Sequence, residues 1–195
     1  KLREGIIWIQ ESKRVKAVHE VVNLREAVDY SNKISYPPYR FIDFHLYYTW
    51  LKENNLLFEE SNTSHYQRIL NAFTYLSGNS EVKDCIVLLT GALELTYTEG
   101  NQQLIDQLNK KIQLFLGTVP SRKSPIKRIY EFRSKYSHGS MPLVPMHKQD
   151  EGDLKQYQKD LHTAYFLGSM LVVATLQQMY LEDRTDLKFT YQLKS

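Results

Sequence analysis

The 195-residue chain is short of the residues that several common scaffolds require. It holds one cysteine, Cys85, so neither an internal disulfide framework nor a cysteine-rich zinc site is open to it. Eight glycines and six prolines are too few turn-formers for a sandwich of many short strands. A Gly-rich phosphate loop, of either the P-loop or the dinucleotide type, is missing. The longest apolar run, 164–176, is interrupted by Gly168 and Ser169. It falls short of the ~20 residues that cross a bilayer, so no membrane partner is expected. The chain starts at Lys1 with no signal-peptide pattern. A soluble, cytoplasmic protein, or a fragment of one, is the expectation.

What is present is ordinary in amount and uneven in placement. With 42% hydrophobic and 24% charged residues, wholesale disorder is excluded. The net charge of +3 conceals a division. Residues 121–140 carry six basic side chains against one acid, Glu131, a local charge of +5. The other 175 residues carry 19 basic and 21 acidic side chains, a balance of −2. A basic patch on a slightly acidic body attracts phosphate-bearing partners, although a solvated helix face has the same composition.

Apolar spacing of three and four residues recurs along most of the chain, which predicts an all-α fold. Helices are expected over about 14–34, ended by Pro37 and Pro38, and over about 40–53, where Phe41, Phe44 and Tyr48 share a face. Seven aromatics crowd residues 36–50, a density that suits core or dimer packing better than base stacking. Breaks at Asn54-Asn55 and at 59–62 place a boundary there. The division is an N-terminal helical extension over 1–61, a helical domain over 62–182 and a tail over 183–195. Within the domain, Val82, Cys85, Ile86, Leu89, Leu93 and Tyr97 form one apolar stripe. Leu104, Leu108, Ile112 and Phe115 form another, stopped by Gly117. Pro125 opens a basic helix that Gly139 is placed to end, and a long helix covers 153–182. In the tail, Leu187, Phe189, Tyr191 and Leu193 alternate with polar residues at strand period, with residues 5–10 as one partner to pair with.

The basic helix carries the chemistry. Arg133 and His138, five positions apart, turn through roughly 140° on an ideal helix, whereas Ser134 and His138 share a face. Together they offer an imidazole, a hydroxyl and a guanidinium near one helix end. Metal-free RNA cleavage needs such groups. A base must take the ribose 2′-hydroxyl proton, and a planar cation must hold the phosphate as charge builds on it. His19, His45, His65, His147 and His162 have no acid or thiol at ligand spacing, so no metal or other cofactor is expected.

The segment Ile129-Tyr130-Glu131-Phe132-Arg133-Ser134-Lys135-Tyr136-Ser137-His138-Gly139 resembles the signature of Apea-like HEPN domains. Residues 88–95, with Ala92-Leu93-Glu94, are similar to that family's Ala-Leu-Glu helix. Residues 112–117 resemble its apolar helix followed by glycine. The likeness spans about 62–182, and residues 1–61 have no part in it. It implies a bundle of four main helices that forms a homodimer, with the arginine and histidine of both protomers lining one cleft. Many members are metal-independent endoribonucleases in toxin, antiviral or RNA-processing systems, paired with an antitoxin or built into a larger defence assembly. Others are inactive and only bind RNA, nucleotides or protein. Ser134 stands where active members frequently have Asn, Asp or His.

The expected roles follow. His138 is general base or acid, Arg133 the phosphate clamp and Ser134 an auxiliary hydrogen-bonding group, while Glu94 is either an orienting carboxylate or half of a plain buried ion pair. Lys127, Arg128 and Lys135 guide RNA, and Tyr136 stands between base stacking and packing. At a dimer seam, Ile129, Phe132 or Tyr136 would supply apolar area.

Overall fold

Asp43 decides where the helix after Pro37 and Pro38 begins. Its backbone is extended and its carboxylate accepts the Leu46 N–H at 3.1 Å, an N-cap that starts α1 at Phe44–Glu53 rather than near residue 40. The computed structural model describes residues 29, 31–38, 40–57, 64–76, 82–100, 102–118, 125–140 and 152–189. Of the helix expected over 14–34, only the end lies within these residues, and 31–34 are helical. Five further helices follow: α2 His65–Leu76, α3 Val82–Tyr97, α4 Leu104–Leu116, α5 Pro125–Ser137 and α6 Gly152–Leu181. Among the described residues there is no strand, and the fold is all-α.

The stops read from sequence hold where they are described. Gly117, at φ 91°, ends α4, and Gly139, at φ 64°, ends α5, both in the left-handed half that glycine enters without strain. Pro125 is the first residue of α5, where its missing N–H costs nothing.

Helix α3 lies at the centre and packs against α2, α4, α5 and α6, while α6 also packs on α2, α4 and α5. Cys85, Ile86, Leu89, Leu93 and Tyr97 of the predicted stripe are buried, as are Leu108, Ile112 and Leu116 of α4. By length and composition, 156–181 of α6 suits a bilayer, yet 67% of its most apolar window is buried inside the bundle, the position of a core helix. Gly168 marks the close approach of α6 to α3. A Cβ there would sit 3.1 Å from Leu89 Cδ1 and 3.3 Å from Leu89 Cβ. We expect Gly168→Val to cost about 1–3 kcal/mol by overpacking. Gly168→Ala should be near neutral, because a gain of about 1 kcal/mol in helix propensity opposes the crowding. Urea denaturation of the two variants checks this, and equal midpoints would refute the close approach.

The described residues before 62 share this core. Tyr36, Trp50, Leu51 and Leu56 are buried in the same cluster as α2, α3 and α6. Trp50 packs edge-on against Tyr66 (4.9 Å between centroids) and Tyr180 (5.3 Å), and its indole N–H donates to Asp183 at 2.7 Å. The hydroxyls of Tyr47 and Tyr66 meet at 2.5 Å. Phe44 and Tyr48 share the outward side of α1, where their rings stack, whereas Phe41, also exposed, lies before the helix and has no place on its face.

The segment after α6 alternates as predicted, but against helices. Leu187 is buried, Lys188 exposed, and Phe189 lies by Tyr97 and 5.0 Å from the buried Lys111 ammonium. Lys111 in turn pairs with Glu99 at 2.9 Å. The same segment caps α2. Asp186 Oδ1 accepts the His65 N–H and the Thr185 carbonyl accepts the Tyr66 N–H, each at 2.9 Å. The Leu187 N–H donates to His65 Nδ1 at 3.1 Å. Residues 5–10 and 191–195, and any pairing between them, lie outside the described residues.

Candidate active site

Helix α5 is fixed to α3 at two points, each by a tyrosine hydroxyl. At its middle the Tyr130 hydroxyl donates to Glu94 Oε1, and near its end the Tyr136 hydroxyl donates to Asp84 Oδ1 at 2.6 Å. The two carboxylates are ten residues apart on α3 and the two tyrosines six apart on α5, so the helices run antiparallel here. Ile126 and Ile129 turn the same side of α5 into the core. A carboxylate in the apolar α3 needs a partner. For Glu94 that partner is a phenol, not a cation.

This anchoring decides where the candidate residues sit. Arg133, half-buried, follows Tyr130 by one turn and lies with Cζ 5.9 Å from the centre of its ring. Such a distance is within the range of cation–π attraction. Glu94 and Arg133 are therefore brought together through Tyr130, a residue that the helical pattern marks only as apolar. Burial pushes the Tyr130 phenol well above its ordinary pKa, and the Glu94 hydrogen bond and charge push it further, against a smaller opposing pull from Arg133.

His138 stands just beyond the last helical residue, Ser137. Its backbone N–H still donates to the Ser134 carbonyl at 3.0 Å, the Gly139 N–H donates to Tyr136, and the chain then turns away. The imidazole is exposed. Ser134 is half-buried one turn earlier. By helix geometry Lys127, Ser134 and His138 lie within about 40° of one another, a stripe along the outer side of α5. Arg133 lies about 140° round from His138, as the spacing predicts. Among the described residues, no hydrogen bond or ion pair joins the side chains of Arg133, Ser134 and His138.

Lys127 and Lys135 are exposed and Arg128 is half-buried. Tyr136, held by Asp84, is half-buried beside the core, and Phe132 faces Tyr157 at 6.0 Å. Ile129 is 1% exposed inside the monomer, so it has no apolar area to offer a partner. Of the 36–50 aromatics, Tyr36 and Trp50 belong to the core, and Tyr39 lies outside the described residues. An open hollow lined by Trp50, Glu53, Asn54, Tyr180, Leu181 and Asp183 includes none of the candidate residues. Among the described residues, no group of three or more His, Cys, Asp or Glu side chains is gathered as a metal site would be.

No family model, curated protein or solved structure matches this chain.

Proposed function

We propose that the chain is a cytoplasmic, HEPN-type endoribonuclease that works as a homodimer and needs no metal. One observation carries this reading: an arginine over a buried tyrosine, and an exposed histidine five residues later, at the Gly139-terminated end of a helix whose exposed side carries Lys127 and Lys135 beside Glu131. The bundle of α3, α4, α5 and α6 would be the four-helix unit that the resemblance implies. His138 removes the 2′-hydroxyl proton, and the alkoxide attacks the adjacent phosphorus. Arg133 holds the non-bridging oxygens as charge builds on them. The 5′-oxygen leaves with a proton returned by a His138 imidazolium, giving a 2′,3′-cyclic phosphate and a 5′-hydroxyl. Within one chain His138 points away from Arg133. A second α5 across a two-fold axis supplies what one chain leaves 140° apart, which is why the reading includes a dimer.

Incubating the purified chain with mixed RNA, with and without chelator, tests the reading. Cyclic phosphate ends in both samples are the expected result, and cleavage only with added magnesium overturns it. A chain that binds RNA without cutting it fits the inactive binding module instead, and the separation of Arg133 from His138 favours that as the second reading.

The basic residues at the start of α5 have their own test. Lys127→Glu should weaken RNA binding and lower the slope of log affinity against log salt by about 1, the effect of one lost phosphate contact. Arg128→Glu should act in the same direction. Titrations at several salt concentrations measure the slope, and an unchanged slope makes the cluster a solvated face.

A further inference from the structure

An arginine clamp works through geometry, because two parallel hydrogen bonds to a phosphate need the guanidinium plane at one tilt. A long side chain on a helix rarely holds one tilt unaided. In this structure the support for Arg133 is built from two helices. Tyr130 is 8% exposed, so its ring has little room to turn. Its hydroxyl is tied to Glu94 Oε1 on α3, and its face lies 5.9 Å from Arg133 Cζ. The bond to a carboxylate also polarises the phenol, adding electron density to the ring face that attracts a cation.

Resting on the ribonuclease reading, we propose that Glu94 and Tyr130 are positioning residues for Arg133. Glu94 anchors the phenol, and the ring sets the height and tilt at which the guanidinium meets an RNA phosphate. The raised pKa of the phenol keeps it protonated, so it stays a donor to Glu94 and takes no part in proton transfer.

The arrangement has an asymmetric consequence. Without the hydroxyl, the half-buried Glu94 carboxylate loses its donor. The guanidinium lying on the same ring is then the cation at hand, and an ion pair would draw it toward α3 and off the phosphate. Neutralising Glu94 in the same chain removes that pull.

Cleavage kinetics of the full chain and three variants test this. Tyr130→Phe should lower kcat by about tenfold or more with KM changed less than about twofold, the signature of a lost transition-state interaction. Glu94→Gln, whose amide oxygen still accepts from the phenol but polarises it less, should lower kcat, though by less than Tyr130→Phe does. The double variant should recover at least about threefold over Tyr130→Phe alone, which a merely structural role would not produce. Tyr130→Phe with full kcat, or a double variant no better than the single, overturns the proposal. If the parent chain leaves RNA intact, the ribonuclease reading fails by itself. The platform is then judged by the Arg133 side-chain N–H resonance. Its ring-current shift should be present in the parent chain and gone in Tyr130→Leu, and identical positions in both would remove the platform.

Discussion

His138→Ala is expected to lower the rate of RNA cleavage by about 10²–10⁴-fold, the range that a positioned general acid or base contributes. Arg133→Ala is expected to cost about 10²–10³-fold, the scale of a lost group that stabilises charge in the transition state. Both variants should fold as the parent does. The His138 imidazole is exposed and lies past the end of α5, and the helix uses only its backbone N–H. Arg133 rests on Tyr130, while Glu94, Ile126 and Ile129 hold that part of α5 without it. Circular dichroism and a sizing column should therefore report unchanged helices and assembly. RNA methylated at the 2′-oxygen, and DNA, should resist the parent chain, since neither has a hydroxyl to attack. Cleavage that survives His138→Ala would end the proposed mechanism.

Trp50→Ala carries the largest stability effect that we expect, about 3–5 kcal/mol, as for other buried aromatic truncations. The indole packs against Tyr66 of α2 and Tyr180 of α6 and donates to Asp183, so one side chain joins α1 to two other elements. Trp50→Phe should cost much less. It keeps an aromatic ring in place and loses one hydrogen bond, worth about 1 kcal/mol where the acceptor, exposed Asp183, regains water. Urea unfolding monitored by helix content distinguishes the two. A cost for Trp50→Ala near that of Trp50→Phe would mean that α1 adds little to the core.

How far the sequence could be read depended on the range of the interaction concerned. Pro125, Gly117 and Gly139 act on their own helix, and the elements begin and end where these residues predict. The stripe containing Cys85, Leu89 and Leu93 is buried because helical period alone selects a face. The start of α1 was misplaced by about four residues, since Asp43 captures the Leu46 N–H and the aromatic pattern before it carries no such signal. The pairs Tyr130–Glu94 and Tyr136–Asp84 depend on the register of α5 along α3, which no periodicity encodes. One clue was available: Tyr130 precedes Arg133 by three positions, so the two had to be neighbours on one helix. The alternation of Leu187, Lys188 and Phe189 was legible, but its partner was not. An extended segment alternates its side chains whether it lies on a strand or on helices.

The cap on α2 imposes an order on biosynthesis. The acceptor that His65 needs, Asp186 Oδ1, lies 121 residues further along the chain. At about 5–20 residues per second, a ribosome adds that acceptor roughly 6–24 s after His65 itself. Until then the first donors of α2 bond to water, and the faces of α2 and α3 that receive α6 are uncovered. For those seconds the nascent chain exposes apolar faces of the kind that holdase chaperones bind. A message truncated within α6 yields a product that quality control should clear rather than a smaller folded protein.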